Sequence, residues 1–228
     1  MNILESIKNL SKAEKTRWLI SLIIIIVSSC LFYEKDVLTI IASIIGATAL
    51  IFVGKGDAIG QLLTIIFAVI YGIISFRFHY YGEMITYVGM TAPSALWAMI
   101  MWLKNPYSKR EVKVGEMTKV KWCLLVVSAV IVTLIMWRVL AYFNTANILF
   151  STISVTTSYL ASMLMVLRSP CYAVCYAAND IILIVLWMLA SMVNIGYLPM
   201  VLCFLIFLIN DLYGFINWKR MKNRQDNR

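Results

Sequence analysis

The sequence predicts an all-α membrane protein with eight transmembrane helices, and three observations lead to that fold class. Apolar side chains make up 62% of the 228 residues and charged side chains only 14%, whereas soluble domains hold about 25% charged residues. The apolar residues fall into eight runs, each close to the length that a helix needs to cross a bilayer. Basic residues concentrate in alternate connections between these runs. This composition excludes a soluble globule and leaves no solvated basic domain that could hold a nucleic acid.

The predicted spans follow a short basic segment, residues 1–17. No small-residue cleavage site that would mark a signal peptide comes after this segment, so we expect the first apolar run to remain as a membrane helix. The eight predicted spans are residues 18–32, 37–53, 58–76, 82–103, 121–143, 147–167, 171–193 and 198–218.

The distribution of basic residues predicts the orientation of these spans. If the N-terminus is cytoplasmic, seventeen lysine and arginine residues lie inside, and only Lys35, Arg77 and Arg138 lie outside. Membrane proteins carry such an excess of basic residues on the cytoplasmic side. A chain of seven spans would have to move one basic terminus across the bilayer. The pattern therefore predicts a multi-pass membrane protein with both termini in the cytoplasm.

An internal repeat emerges when the chain is shifted by 116 residues: Tyr71 then falls on Trp187, and Trp102 falls on Trp218. The shift pairs spans two to four with spans six to eight and leaves the fifth as a connector, so two three-helix units run in the same direction. The charged linker at residues 104–121 has room for a short surface helix. The predicted divisions are an N-terminal segment with an extra helix (1–36), the first repeat (37–104), a cytoplasmic loop with a linker helix (105–146), the second repeat (147–218) and a basic cytoplasmic tail (219–228).

Two asparagine–aspartate pairs, Asn179-Asp180 and Asn210-Asp211, lie inside apolar runs of the second repeat. A carboxylate or an amide in hydrocarbon is unfavourable unless it faces a partner, water or a ligand. Each asparagine lies eight residues from the cytoplasmic end of its span, which is about 12 Å at 1.5 Å per residue. Both pairs should therefore reach one depth and form a candidate binding site. Packing between helices is the alternative reading of these pairs.

Further polar and aromatic residues are expected near that depth. Gln61 and Thr64 on the third span lie slightly shallower, and they fall on Ala177 and Asp180 in the repeat. Rings beside amides and carboxyl groups suit a planar, hydroxylated ligand, and a cationic ligand would add cation–π attraction. Packing or anchoring at the membrane interface is the alternative for each ring. The aromatic candidates are Tyr71, Trp97, Tyr172, Tyr176, Trp187 and Tyr213.

Catalysis and metal binding have little support in the sequence. His79 is the single histidine, and the five cysteines show no CxxC spacing. Nucleophile and phosphate-loop motifs are missing as well. We therefore expect no metal, no cofactor and no enzyme activity. The alternative is a lipid-acting membrane enzyme that would use Asp180 and Asp211 as acid and base.

Short motifs in a fixed order run through both halves of the chain after residue 36. They are Ile45-Gly46, Gly54-Lys55-Gly56, Tyr71, Tyr80-Tyr81-Gly82-Glu83, Pro93 and residues 97–102 in the first half, and Asn179, Trp187, the region of Pro199 and residues 213–218 in the second. In this order and spacing they resemble the PnuC family of bacterial vitamin transporters, which is best known for uptake of nicotinamide riboside.

The resemblance implies a SWEET-like fold that assembles as a homotrimer in the bacterial inner membrane. It also implies facilitated diffusion of an unphosphorylated vitamin, which a cytoplasmic kinase would then trap by phosphorylation. For nicotinamide riboside, the pyridinium would stack on a tryptophan or tyrosine, and the ribose would bond Asn179, Asn210 or Asp211. Tyr172 and Tyr176 stand where many members have tryptophan, so thiamine and riboflavin remain alternative substrates.

Overall fold

The computed structural model describes residues 3–31, 37–77, 81–145 and 147–227. Lys35, His79 and Tyr80, which the sequence analysis names, lie outside these described residues. The N-terminal part contains helices α1 (Ile3–Lys8) and α2 (Lys12–Leu31). The first repeat contains α3 (Val37–Gly54), α4 (Ala58–Arg77), α5 (Tyr81–Met84), a π-helix (Ile85–Thr91) and α6 (Ala92–Lys104).

The linker between the repeats forms a β-hairpin instead of the short surface helix that the sequence has room for. Strands β1 (Pro106–Ser108) and β2 (Glu111–Val112) pair in antiparallel fashion. The backbone N–H of Val112 donates to the carbonyl of Gly56 at 3.0 Å, which ties the hairpin to the connection between α3 and α4. Pro106 has no backbone N–H and disfavours helix in the preceding residue, which explains why the linker does not continue α6.

The second half begins with the connector helix α7 (Lys119–Tyr142). The second repeat contains α8 (Ile148–Val166), α9 (Tyr172–Val193), a 3₁₀ helix (Ile195–Tyr197) and α10 (Leu198–Asp226). Pro199 lies in the first turn of α10, where its missing N–H breaks no helical hydrogen bond.

Six helical segments of the described chain are long and apolar enough to cross a membrane. Helix α2 falls outside this set because charged residues occupy its first turns, and the fourth predicted span is divided among α5, the π-helix and α6. The segments that qualify are Val37–Gly54, Ala58–Arg77, Lys119–Tyr142, Ile148–Val166, Tyr172–Val193 and Ile195–Asp226.

Two tryptophans, which the 116-residue shift aligns with each other, link the two repeats by hydrogen bonds. The indole N–H of Trp102 donates to the carbonyl of Met165 at 3.0 Å, from the first repeat to the second. Conversely, the indole N–H of Trp218 donates to the carbonyl of Val53 at 2.9 Å. The two rings lie 5.4 Å apart between centroids. Helices α3 and α10 pack together, as do α6 and α8, so the triplets meet along two seams.

Two groups of buried apolar residues lie at different levels of the bundle. One lies toward the end that carries both termini and includes Trp102, Tyr172 and Trp218. The other lies toward the opposite end and includes Tyr71 and Trp187. Along α9 and α10, the two asparagine–aspartate pairs fall between these two groups, so they occupy the middle of the molecule.

Candidate functional site

The asparagine–aspartate pairs of α9 and α10 form a buried polar centre. Only 5% of Asn179, 4% of Asp180, 2% of Asn210 and 4% of Asp211 is exposed. The carboxyl groups of Asp180 and Asp211 lie within hydrogen-bonding reach of each other. The antiparallel helices therefore bring the two pairs together in the middle of the bundle, as their equal distances from the helix ends predict.

Helix α8 supplies hydroxyl groups to this centre. The amide oxygen of Asn179 accepts hydrogen bonds from Ser154 Oγ at 2.8 Å and from Thr157 Oγ1 at 3.1 Å. One turn further along α8, Ser162 Oγ lies 3.1 Å from the hydroxyl of Tyr176. Side-chain hydrogen bonds thus join α8 to α9 inside the membrane region. These bonds fix the orientation of the Asn179 amide.

Three buried oxygens on α4, α9 and α10 have no hydrogen-bond partner among the described residues. They are Oδ2 of Asp180, Oδ1 of Asn210 and Oε1 of Gln61. Gln61 is fully buried on α4, and its amide nitrogen contacts the sulfur of Met165. Buried polar atoms are nearly always paired with protein or water. The three oxygens are therefore candidate acceptors for the hydroxyl or amide groups of a ligand.

Aromatic rings of α9 and α10 border the polar centre on the side of the termini. Tyr172 and Tyr176 lie one turn apart, with ring centroids 6.2 Å from each other. Tyr172 also packs edge-on against Trp218 at 5.1 Å. Both tyrosines are close enough to Asp211 to interact with it electrostatically. This side of the centre offers flat surfaces next to a carboxyl group.

A second group of rings and an acid borders the centre on the opposite side. Tyr71 Oη donates to Glu83 Oε2 at 2.8 Å, and the rings of Tyr71 and Tyr87 lie 4.4 Å apart. Tyr87 in turn lies within electrostatic range of Asp180. Tyr71 is a predicted site residue, whereas Glu83 and Tyr87 are not. An acid inside the apolar run 82–103 was the sequence feature that could have identified Glu83 as a candidate. The proximity of Tyr87 to Asp180 arises only from the fold.

A partly open cavity leads from the end opposite the termini toward this second group. Its empty volume, including the space at its mouth, is about 400 Å³. Ser154, which donates to Asn179, forms part of its wall, so the cavity adjoins the polar centre. Its lining also includes Glu83, Thr86 and Tyr87 from the first repeat, Ser151 and Ser158 from α8, and Leu183 and Leu186 from α9.

The structure places three of the predicted site residues away from the polar centre, and a fourth, Thr64, bonds within its own helix. Trp97 is 54% exposed on the outer face of α6. Tyr213 points toward α2, where its hydroxyl donates to Glu14 Oε1 at 2.8 Å. Thr64 donates to Gly60 O of its own helix at 2.9 Å. Trp187 is buried and packs against Tyr197, with ring centroids 5.6 Å apart.

The electrostatic character of the interior is acidic. Asp180 and Asp211 are buried in the centre, and Glu83 lies in the wall of the adjoining cavity. Among the described residues, no lysine or arginine belongs to the buried polar or charged residues. The same residues contain no cluster of three His, Cys, Asp or Glu side chains that could hold a metal ion. Such an interior can attract a cation and can accept hydrogen bonds, but it offers nothing to neutralise an anion.

Comparison with known proteins gives this site a context. A family model described as nicotinamide mononucleotide transporter matches residues 36–220. The chain belongs to this family. The resemblance to PnuC transporters is thereby confirmed, and a member of a transporter family is not an enzyme.

Relatives and a solved structure agree with this family assignment. The chain is 29% identical over 213 residues to the nicotinamide riboside transporter PnuC of Neisseria mucosa, covering 91% of this chain and 81% of that protein. It is 24% identical over 190 residues to the protein of the same description from Haemophilus influenzae, covering 82% and 81%. A crystal structure of the vitamin B3 transporter PnuC superposes with a TM-score of 0.83 at 28% identity, covering 95% of this chain and 94% of the other. The prediction of an all-α membrane protein of this architecture is confirmed.

Proposed function

We propose that this protein carries nicotinamide riboside across the membrane by facilitated diffusion. The curated relatives from N. mucosa and H. influenzae are described as transporters of this compound. The observation that carries the proposal here is the polar centre, in which Asp180 and Asp211 lie together without a buried basic partner among the described residues. Nicotinamide riboside bears a positive pyridinium ring, which would supply a positive charge beside the two aspartates.

The same observation favours the riboside over the mononucleotide that the family description names. The mononucleotide differs by a phosphate group, which needs cationic or amide donors for binding. A phosphate beside Asp180 and Asp211 would be repelled and stripped of water at the same time. Selectivity for the unphosphorylated form follows from the acidic interior. It would also leave the phosphorylated product unable to return through the protein.

The proposed contacts follow the chemistry of the two parts of the substrate. Asp180 and Asp211 would stabilise the charge of the pyridinium, and Tyr176 offers it a flat surface. The ribose hydroxyls would bond to the free oxygens of Asp180 and Asn210 and to the amide of Asn179. Trp97 and Tyr213 have no role in this arrangement because their side chains are directed elsewhere, and the Thr64 hydroxyl already bonds the Gly60 carbonyl.

The direction of net transport would be set inside the cell. Facilitated diffusion only equalises concentrations, so a cytoplasmic kinase that phosphorylates the riboside would maintain the gradient. We place both termini in the cytoplasm of a bacterial inner-membrane protein that functions as a homotrimer. The basic loops support this orientation: the termini, the hairpin and the loop after α8 contact one another at one end of the molecule, through Arg110 with Ser6 and through Gly115 with Arg168.

Uptake into proteoliposomes tests the proposed function. Vesicles that contain the protein should equilibrate labelled nicotinamide riboside faster than protein-free vesicles, and they should exclude labelled nicotinamide mononucleotide. Loading a riboside kinase and ATP inside the vesicles should turn equilibration into accumulation. Equal entry of both compounds, or entry of neither, would contradict the proposal.

Two further arms of this assay separate the remaining alternatives. Competition by unlabelled thiamine or riboflavin that exceeds competition by unlabelled riboside would identify one of them as the substrate instead. Imposed proton and sodium gradients should leave the rate of riboside equilibration unchanged. Accumulation that follows an ion gradient without any kinase would show a coupled carrier in place of facilitated diffusion.

A further inference from the structure

A groove on the outside of the bundle lies away from the polar centre. It has about 1080 Å³ of empty space, open toward the surroundings, and it is bounded by α6, α7 and α8. Its lining includes Trp97 from α6, Lys121 and Leu124 from α7, and Arg168 from the turn after α8.

Most of this groove is apolar and faces the membrane. Leu124 is 65% exposed, and Trp97 is 54% exposed. Helix α7 buries little of its surface against the rest of the described chain. A groove of this kind, within the hydrocarbon region, would hold a lipid acyl chain rather than water.

Two cations close the groove at the end that carries the termini. Lys121 lies in the first turn of α7, and Arg168 lies in the turn after α8. Lys104, Lys113 and Lys119 are exposed in the segments that lead to and from this end, and Glu116 is an exposed acid there. The charge at the mouth of the groove is therefore strongly positive. This position corresponds to the level of the lipid headgroups on the cytoplasmic side.

Arg168 is held in place by the backbone around it. It adopts a left-handed conformation with φ of 59°, and its carbonyl accepts a hydrogen bond from Gly115 N at 2.9 Å. A Cβ atom at Gly115 would come within 2.2 Å of the carbonyl of Leu167, so only glycine permits this approach. The turn thus fixes the backbone of Arg168 at the mouth of the groove.

The guanidinium of Arg168 is only partly satisfied. Nη1 donates to the carbonyl of Lys113 at 3.2 Å, whereas Nε is buried and has no partner among the described residues. Lys121 Nζ donates to the carbonyl of Glu116 at 2.7 Å. Both cations therefore bond to backbone carbonyls, and neither has an ion pair with a described carboxylate. An anion between them would gain charge-assisted hydrogen bonds.

We propose that this groove is a binding site for an anionic phospholipid of the cytoplasmic leaflet. One acyl chain lies along the apolar wall of α7 and α8, and the headgroup phosphate lies between Lys121 and Arg168. A lipid with net negative charge is preferred because basic residues at a membrane surface attract anionic headgroups. The site is separate from the polar centre and does not depend on the transported substrate.

Quenching of Trp97 fluorescence by brominated lipids tests this proposal. The protein is reconstituted with increasing fractions of phosphatidylglycerol or phosphatidylcholine that carry bromine on one acyl chain. The contribution of Trp97 is the difference between the parent and Trp97→Phe. Brominated phosphatidylglycerol should reach half-maximal quenching at a several-fold lower lipid fraction than brominated phosphatidylcholine.

Charge variants identify the residues that give this preference. In Lys121→Gln/Arg168→Gln, the two half-maximal lipid fractions should coincide. The matched control Arg220→Gln/Lys222→Gln removes two exposed charges of the C-terminal tail and should keep the separation, as should Arg168→Lys. Equal quenching by both lipids in the parent would overturn the proposal. So would a preference that survives in the double variant, or the absence of quenching by either lipid, which would mean that a second copy of the chain fills the groove.

Discussion

We expect Asp180 and Asp211 to determine which molecules the interior of this protein can accept. Two carboxyl groups side by side are costly in a membrane unless a cation or a shared proton compensates them. Among the described residues, the groups around them include tyrosines and amides, which can donate hydrogen bonds but carry no positive charge. A cationic, hydroxylated ligand would supply both the charge and the donors. The substrate preference we propose therefore rests on individual side chains and not on the shape of the cavity.

The amide of Asn179 gives the sharpest test at this scale. Asn179→Ala removes the acceptor for Ser154 and Thr157 and removes one of the proposed contacts to ribose. Calorimetric titration should show nicotinamide riboside binding at least tenfold more weakly, equivalent to about 1.4 kcal/mol. Ser191→Ala is the matched control because Ser191 Oγ bonds the Trp187 carbonyl of the same helix. Unchanged affinity in Asn179→Ala would remove Asn179 from the site.

Glu14, which precedes the apolar part of α2, predicts a dependence of stability on pH. Burial alone would raise the pKa of Glu14, but hydrogen bonds from Ser11 N, Tyr213 and Lys55 outweigh it and lower the pKa below its ordinary value of 4.5. The ionised carboxylate thus stabilises the fold fully above about pH 4.5, and this contribution is lost as the pH falls through the lower folded-state pKa.

Comparison with Glu14→Gln measures this contribution. At neutral pH the variant should be less stable by about 2 kcal/mol, the usual scale for hydrogen bonds to a charged group. Thermal unfolding in detergent between pH 7 and pH 3.5 should show the gap between parent and variant closing at the acidic end. A gap that stays constant across this range would contradict the assigned role of Glu14.

Sequence reasoning located buried polar residues better than it located aromatic ones. An Asn-Asp pair in an apolar run can only be tolerated with partners, so the cost of burial points directly to the interior, as with Asn179 and Asn210. A ring is equally stable against lipid, against another helix or beside a ligand, so its type does not reveal its direction. Trp97 and Tyr213 show this: one faces outward, and the other contacts Glu14.

At the scale of elements, the π-helix is the feature that the sequence predicted least well. Pro93 in the fourth predicted span suggests a kink or a hinge. The structure resolves the break into the π-helix Ile85–Thr91 followed by α6, with the backbone N–H of Ala92 donating to the carbonyl of Tyr87. The π-helix, whose turn is wider than that of an α-helix, directs the ring of Tyr87 toward Tyr71. Periodicity over an apolar run does not distinguish an α-helix from a π-helix, so this placement could not be predicted.

The close contact between α3 and α4 predicts how a methyl group added at Gly60 would change the stability of the protein. A Cβ atom at Gly60 would lie 2.5 Å from the backbone nitrogen of Val53, so the helices would have to separate. Gly60→Ala should destabilise the protein by about 1–3 kcal/mol, measured as a lower midpoint of thermal unfolding. Gly89→Ala is the control, because its nearest neighbour would be Ile85 Cγ2 at 3.9 Å. Equal midpoints for the two variants would contradict the close approach.

At the scale of the whole molecule, the two repeats exchange equivalent contacts. Trp102 and Trp218 each donate to a carbonyl near the end of the first helix of the other repeat. The 116-residue shift predicts their equivalence from the sequence. It does not predict that each tryptophan bonds to the other repeat. The shift aligns equivalent positions of the two repeats and carries no information about how the repeats pack.

Labelling of introduced cysteines tests the orientation of the assembled chain. Ser108→Cys lies in the hairpin near the termini, and Val193→Cys lies at the opposite end with 90% exposure. In intact cells, a membrane-impermeant maleimide should label Val193→Cys above the level of the parent, whose native cysteines give the background. Ser108→Cys should be labelled only after the membrane is opened. The reverse pattern would place the termini outside.

The most direct test of the central claim is a structure of the protein with nicotinamide riboside bound. We expect density for the riboside in the polar centre between α8, α9 and α10. Its hydroxyl oxygens should lie within about 3.2 Å of Asp180 Oδ2 or Asn210 Oδ1, the range of a hydrogen bond. Riboside density that lies away from these two oxygens, with the centre closed around the two aspartates, would contradict the claim.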